Sequence, residues 1–390
     1  MSDEHGGSLE FVLVAVACYL IRRDKDASDR YLLVYTRKRL ENRIGNGNVG
    51  FVTNTNGIDV FLVPEAHKEG EAMMTTQNDN GIIIDIHTHS GGMDISNFTR
   101  YKYPYCQDII DLYEKGRNNN VSRQVVFSMP TTNYFDIPKY WETRRFVSSG
   151  QSNYPFETEN KHLIQSIDSI VSLKRNFIPF LSFSLQDKVE EQQESICELI
   201  KGYPDIKGIK YHTSCDQNPA LMLEKKSEIV DIAKEFGMSF MIHTGFNGIS
   251  DSMSVLALAS NHPEVNFCAA HFGGFSERFF SELEKYPYNN LFFDTSGLVP
   301  LARSLQNNTP SNVIMLDYSD PEGILRHYCE CFPMRILWGS DAPWYNSFDF
   351  SKPNTDKDLR GYADEIALLD KTDKAQIYEN TLRFLNMKGM

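Results

Sequence analysis

The stretch GIIIDIHTHSGG, residues Gly81–Gly92, decides the fold. Its Ile-rich run is bounded by glycine, which is typical of a buried β-strand. The run ends at His87 and His89, and because side chains alternate along a strand, both imidazoles face the same side. Two neutral imidazoles side by side suit a shared cation, whereas a single histidine would more often be a core residue bonded to backbone. The stretch therefore predicts a strand that supplies part of a metal site.

After Gly81 the sequence alternates between short apolar runs and segments of helical period. The predicted strands cover 82–87, 124–129, 177–184, 206–212, 239–243, 265–271, 290–296 and 335–341. Among the helices, 218–237 is expected to begin with Asn218 as N-cap and Pro219 in the first turn, and to end at Gly237. Eight strands alternating with helices predict an α/β fold, a (β/α)8 TIM barrel. A doubly wound open sheet is the competing architecture.

Residues that bind metals or move protons stand at the ends of several predicted strands. They are His87 and His89, Lys210 and His212, His243, His271, and Asp341. Active sites of barrels gather at the carboxyl ends of the strands, so this placement favours the barrel over the open sheet. Taken singly, each histidine would fit a core position, and Asp341 would fit a helix N-cap. Their joint occurrence predicts His and Asp side chains that converge on a divalent cation.

The ordered set of motifs resembles the amidohydrolase superfamily. The segments DIHTHSGG, GIKYH, IHTGF, AHFGG, FFDTSG, ILWGSDAPW and YENTLRFL are similar to those of its amidohydrolase-2 branch, which includes aminocarboxymuconate-semialdehyde decarboxylase. The resemblance covers about residues 82–388 and leaves the first 80 residues outside it.

This resemblance implies four metal ligands, namely His87, His89, His243 and Asp341. Asp341 and His271 are the implied catalytic residues. Zn²⁺ is expected, at about one ion per chain, because the ligands are nitrogen and carboxylate, and Mn²⁺ or Fe²⁺ would accept the same set. The expected chemistry uses metal-activated water, with Asp341 taking its proton and His271 polarising the substrate carbonyl.

Three further residues are candidates for substrate contact or for support of the ligands. Lys210 lies on the fourth predicted strand, where two-metal amidohydrolases carry a carboxylated, bridging lysine; a substrate-anion or structural role is the alternative. His212 faces the same side as Lys210. Asp85 precedes His87 by two residues, so on a regular strand it would orient a ligand imidazole, and a structural role is the alternative.

Three functions remain open at this point. The first is a metal-dependent hydrolase that acts on a C–N, ester or lactone bond of a small molecule. The second is a non-oxidative decarboxylase of a cyclic or unsaturated carboxylic acid, for which an Arg or Lys aimed at a substrate carboxylate would argue. The third is a catalytically silent barrel that acts as a binding protein, and the intact set of His and Asp argues against it.

The remaining sequence features concern organisation and partners. Residues 1–80 contain β-rich runs separated by turn-like pieces, which predict a small β-rich domain or extension, and 81–390 form the barrel domain.

The net charge of -13 disfavours nucleic acid as a partner. The longest apolar run, 11–21, is too short to span a bilayer. Seven scattered cysteines favour a reducing compartment, so we expect a cytoplasmic protein without a membrane segment. The resemblance adds a homodimer as the expected assembly.

Overall fold

The computed structural model describes residues 49–53, 60–64, 82–92, 106–171, 173–307, 309–343 and 355–388. The chain divides into two compact units, Met1–Thr76 and Gln77–Met390. In the first unit, β1 (Val49–Thr53) pairs antiparallel with β2 (Val60–Pro64). The other β-runs predicted within residues 1–80 lie outside the described residues.

The second unit is built on one sheet that contains eight parallel strands. The strands are β3 (Ile84–Gly92), β4 (Cys106–Gln107), β5 (Arg123–Ser128), β6 (Phe177–Phe183), β7 (Gly208–Tyr211), β8 (Ser239–Ile242), β9 (Phe267–Ala269), β10 (Leu291–Asp294) and β11 (Ile336–Leu337). The sheet order is β11-β10-β9-β8-β7-β6-β5-β3-β4, and the short β4 pairs antiparallel with the end of β3. Each of the eight predicted strands is present, so the α/β prediction is confirmed.

The sheet curls, so that its first parallel strand, β3, bonds to the segment that follows its last strand, β11. The amide of Ile86 donates to the carbonyl of Trp338 at 3.2 Å, and the amide of Asp341 donates to the carbonyl of His87 at 2.9 Å. The amide of His89 donates to the carbonyl of Ala342 at 2.8 Å. These bonds bring the carboxyl ends of β3 and β11 together, as a shared active site requires.

Helices connect the strands of the second unit. They are α1 (Ile109–Asn118), α2 (Ile137–Thr143), α3 (Glu157–Ser169), α4 (Val189–Gly202), α5 (Thr213–Asp216), α6 (Met222–Lys226), α7 (Ile229–Phe236), α8 (Ser252–Asn261), α9 (Ala270–Gly273), α10 (Glu277–Leu283), α11 (Leu298–Asn307), α12 (Pro321–Cys331), α13 (Thr355–Leu369) and α14 (Lys374–Phe384). Within the described ranges, no helix combines the length and the apolar character needed to cross a bilayer.

The prediction of a single helix over 218–237 is wrong. Two helices, α6 and α7, occupy this segment, and Ser227 between them is extended. Asn218 does not cap a helix that starts at Pro219, because its side chain bonds back to Asp216. The predicted end is confirmed, since Gly237 follows α7 with a left-handed backbone, φ 63°.

Alternation along the strands places one set of apolar side chains inside the curled sheet. This inner cluster includes Ile84, Val125, Ile178, Phe180 and Phe292, all buried. The end of α14 packs against it, with the ring of Phe384 centred 5.6 Å from that of Phe292. The early residues of β3, β5 and β6 belong to this cluster, so the amino-terminal end of the sheet is filled and the opposite end is left for a site.

Candidate active site

A cavity of about 320 Å³ lies at the carboxyl ends of the strands. It is lined by His87, His89, Pro130, Lys210, His212, His243, Thr244, Gly245, Phe246, His271, Gly274, Gly297, Pro300, Leu301 and Asp341. Seven of these are the residues that the sequence placed at strand ends. The predicted convergence of His, Lys and Asp side chains is therefore observed, although Asp85 is not among the lining residues.

Two hydrogen bonds fix the tautomer and orientation of the buried His87 imidazole. Its Nδ1 donates to Asp294 Oδ2 at 2.8 Å. Its Nε2 therefore carries a lone pair, which faces Lys210 Nζ at 3.0 Å and lies 3.4 Å from Asp341 Oδ1. The ring of Phe127 packs edge-on against this imidazole, 5.0 Å between centroids.

His89 is oriented in the same way by the neighbouring strand. Its Nδ1 donates to the carbonyl of Ser128 at 3.0 Å, and its Nε2 lies 3.5 Å from Asp341 Oδ1. The carbonyl of His89 accepts from the side-chain amide of Gln107, which holds this end of β3. A single carboxylate oxygen of Asp341 thus faces both histidines of the His-x-His motif.

The other three histidines form a second group that adjoins the first, because the ring centroids of His87 and His271 lie 5.0 Å apart. His271 contacts the carbonyl of Ser296 through Nδ1 at 3.0 Å, and its Nε2 lies 3.1 Å from His243 Nδ1. The ring of His212 stacks on that of His243, with centroids 3.9 Å apart and planes 12° apart. His271 Nδ1 is 4.0 Å from Asp341 Oδ2, so Asp341 lies between the two groups.

Two of the site residues have a left-handed backbone. Asp341 has φ 61°, and His271 has φ 57°. Residues other than glycine adopt this conformation rarely, and such strain is concentrated at functional sites. The strand predicted over 265–271 ends at Ala269 for this reason, and His271 lies in the turn that follows. Gly274 in the same turn has φ 64°, and an added Cβ would meet the carbonyl oxygen of Gly245 at 2.7 Å.

Burial keeps four of the site histidines neutral. Burial, reinforced by the charge of Lys210, lowers the pKa of His87 to about 3. Burial likewise lowers the pKa of His89, His212 and His243 well below the usual value. Neutral imidazole is the form that donates a lone pair to a metal ion.

The carboxylate of Asp294 stays ionised beside His87. Burial raises its pKa, but the hydrogen bonds from His87 and Ser296 outweigh burial, so the net pKa falls below the usual value. Ser296 adds to this, because its amide and hydroxyl donate to Asp294 Oδ1 at 3.0 and 2.5 Å. Asp294 is the last residue of β10, in the motif FFDTSG. Its position at a strand end is the sequence signal that could have identified it as a site residue.

Asp85 does not orient an imidazole. The register of β3 against β5 shifts between Asp85 and Thr88, so the regular alternation that was expected to place Asp85 beneath His87 is broken. Its carboxylate accepts instead from the amides of His87 and Ser340 and from the hydroxyl of Tyr362, at 3.0 to 3.1 Å. These contacts correspond to the structural alternative, and Asp294 takes the orienting position.

The donors present fit a divalent metal ion. His87, His271 and Asp341 offer ligand atoms that lie within 4.8 Å of one another. The Nε2 atoms of His87 and His89 both face Asp341 Oδ1, with their Nδ1 atoms engaged elsewhere. Nitrogen and carboxylate donors of this kind suit Zn²⁺ and also Mn²⁺ or Fe²⁺. The expected ligand His243 contacts His271 and His212, and its place among the ligands stays a prediction.

One solved structure supports the fold, and two further structures are similar to a lesser degree. A proposed 2-pyrone-4,6-dicarboxylic acid hydrolase from Pseudomonas putida matches with a TM-score of 0.51 and 15% identity, over 78% of this chain and 98% of that chain. A probable enzyme of the same description from Acinetobacter baumannii, with citric acid bound, matches at 0.47 and 12%, over 78% and 99%. A 2,6-dihydroxybenzoate decarboxylase from Rhizobium matches at 0.46 and 12%, over 78% and 98%. No curated protein sequence matches this chain.

The sequence itself matches a family model. The model describes an amidohydrolase and covers residues 175–386, which is more than half of the chain. This region contains Lys210, His243, His271, Asp294 and Asp341, while the His-x-His motif precedes it. We conclude that the chain is an enzyme of the amidohydrolase-2 family.

Proposed function

We propose that the enzyme is a metal-dependent hydrolase that acts on a C–N, ester or lactone bond of a small molecule. The observation that carries this proposal is the position of Asp341. Its carboxylate lies 3.4 Å from His87, 3.5 Å from His89 and 4.0 Å from His271, at the wall of the cavity. Imidazoles around one carboxylate, with cavity space beside them, are the donor set of a catalytic metal site.

The chain's own residues have distinct roles in this proposal. His87, His89 and His243 would hold the ion together with Asp341. The Asp341 carboxylate would also accept a proton from the attacking water and pass it to the leaving group. His271, whose Nδ1–H donates to the carbonyl of Ser296, would polarise the substrate carbonyl as an imidazolium, with Nε2–H as the donor. When bound, a divalent ion supplies Lewis acidity, which lowers the pKa of water and polarises a carbonyl.

The remaining predictions are part of the same proposal. We propose Zn²⁺ at about one ion per chain, a complete (β/α)8 barrel over residues 81–390, and a separate β-rich domain over 1–80. The division of the chain near residue 76 supports the domain boundary. Cys197, Cys215, Cys268, Cys329 and Cys331 are free thiols, which supports a cytoplasmic location. A homodimer without nucleic acid or membrane partners stays a prediction.

Decarboxylation of a small carboxylic acid is the second candidate, and Lys210 favours it. Among the described residues that line the cavity, Lys210 is the one with a cationic side chain. Burial lowers its pKa to about 8, so it is largely an ammonium group at neutral pH. An ammonium group in the cavity would attract the carboxylate of an acidic substrate. Measuring released CO2 against hydrolysed product separates the two reactions.

The first test of the proposal is metal content. We expect about one equivalent of transition metal per chain in protein purified without a histidine tag. His89→Ala should lose it while circular dichroism still reports the native fold, because catalytic sites in barrels lie apart from the packed core. His262→Ala is the matched control, because His262 bonds Glu224 far from the cavity. Equal metal content in wild type and His89→Ala would contradict the site.

The second test is turnover by Asp341→Asn. A panel of small esters, lactones, amides and unsaturated carboxylic acids is screened first for a substrate. Without metal, the variant should fold as the metal-free wild type does. Its kcat should fall on the order of 100- to 10,000-fold, because an amide does not accept a proton as a carboxylate does. Retention of most of the rate would remove Asp341 as the base.

A further inference from the structure

Lys210 places a positive charge in the middle of the donor set. Its Nζ lies 3.0 Å from His87 Nε2 and 4.4 Å from the centre of the Phe127 ring. The residue belongs to β7 and is only 3% exposed.

The His87 imidazole has one lone pair to give. Its Nδ1 donates to Asp294, so Nε2 is the only ring nitrogen that accepts. An ammonium hydrogen and a metal ion both need that lone pair, so they cannot use it together. Asp341 Oδ1, at 3.4 Å from the same Nε2, marks the side of the ring on which a metal ion would sit.

The charges around His87 also set Lys210 against a metal ion. Asp294 and Asp341 both act on Lys210 as opposite charges. In this arrangement of side chains, the ammonium group of Lys210 therefore balances the negative charges of Asp294 and Asp341. Entry of a dication would bring a second and stronger positive charge against it, which is repulsive at this distance inside a protein.

We infer that Lys210 is a built-in competitor of the metal ion, which occupies the lone pair of His87 and must withdraw from it when the metal binds. Lys210 thereby weakens metal binding and sets the metal concentration at which the site fills. This inference rests on the proposed function, because it assumes that His87 is a metal ligand. It differs from a bridging role, in which Lys210 would strengthen metal binding.

The test measures metal affinity of the full-length protein rather than activity. Zn²⁺ and Co²⁺ are titrated into chelator-treated wild type, Lys210→Met and Lys210→Gln, with a competing chelator for Zn²⁺ and visible absorption for Co²⁺. Lys207→Met is the matched control, because it removes an equal charge three residues away, where Lys207 Nζ bonds the carbonyl of Pro204 at the surface. Thermal unfolding of the metal-free proteins shows which variants are folded.

We expect both Lys210 variants to bind metal about tenfold or more tightly than wild type, the range seen when groups around metal ligands are changed. Lys207→Met should match wild type. Unchanged affinity in a folded Lys210 variant overturns the inference, and weaker binding overturns it in favour of a supporting lysine. Absence of site-specific binding in wild type and both Lys210 variants would instead overturn the proposed metal site itself.

Discussion

Asp294 is the residue that sets the orientation of the His87 imidazole. It accepts from the Nδ1 of His87, and it also accepts from the amides of His271 and Ser296. One carboxylate therefore sets the tautomer of a histidine from β3 and the backbone of a histidine after β9. Groups that orient ligand imidazoles in this way affect metal affinity almost as much as the ligands do.

We predict that Asp294→Asn weakens metal binding by about 10- to 100-fold. The amide would present N–H groups where Nδ1–H of His87 now donates, so the imidazole would turn or change tautomer. Chelator competition measures the affinity, and circular dichroism confirms the fold. Asp317→Asn is a close control, because exposed Asp317 accepts from the amide and hydroxyl of Ser319 at 3.0 and 2.5 Å, as Asp294 does from Ser296. Equal affinity in the two variants would show that Asp294 does not orient His87.

The site residues were predictable where the rule of strand ends applies. His87, His89, His243 and Asp341 follow apolar runs directly, so their meeting at one end of the sheet could be expected. The contact of His87 with Asp294 could not, because it joins residues 207 positions apart. The contact of His87 with Lys210 could not be expected either, because it joins residues 123 positions apart.

At the scale of elements, Gly208 allows β7 to sit close to its neighbours. A Cβ at this position would overlap the ring of Phe180 and would lie 2.5 Å from the carbonyl oxygen of Ser239. Gly208 begins the strand that carries Lys210, so the position of this lysine depends on the same close approach.

We predict that Gly208→Ala lowers the free energy of unfolding by about 1–3 kcal/mol, since added carbon atoms in a packed interior force side chains and backbone to shift. Urea unfolding followed by circular dichroism measures the change. Gly202→Ala is the matched control, because Gly202 ends α4 and an added Cβ there meets nothing within 4 Å. The close-approach argument fails if both variants unfold at the same urea concentration.

Strands were easier to predict than helix boundaries. The break between α6 and α7 shows why. Ser227 donates its hydroxyl to the carbonyl of Leu223, and the amide of Glu228 donates to the side chain of Gln193 on α4. The start of α7 is thus stabilised by a partner from another helix, and a local pattern of apolar residues does not contain that partner.

At the scale of the whole molecule, buried Asp85 links the two ends of the curled sheet. Asp85 Oδ1 accepts from the amides of His87 on β3 and Ser340 after β11. Asp85 Oδ2 accepts from the hydroxyl of Tyr362 on α13. Ser340 precedes Asp341, so the residue that closes the sheet also places the proposed catalytic base beside the histidines.

We predict different outcomes for two substitutions of Asp85. Asn keeps an oxygen for both backbone amides, and the Tyr362 hydroxyl can turn to accept from the new amide group. Burial raises the pKa of Asp85 to about 6, so at pH 8 the group is ionised and its charge carries a desolvation cost. Asp85→Asn removes this cost together with the stronger hydrogen bonds of a carboxylate, so it should change the free energy of unfolding by less than about 1 kcal/mol there. Asp85→Leu leaves three buried donors without an acceptor and should cost about 3 kcal/mol or more, at about 1–3 kcal/mol for each donor.

Urea unfolding at pH 8 compares the two, and Tyr288→Phe, at an exposed tyrosine, controls for the loss of a hydroxyl elsewhere. Equal stability of Asp85→Leu and wild type would mean that this link does not hold the sheet closed.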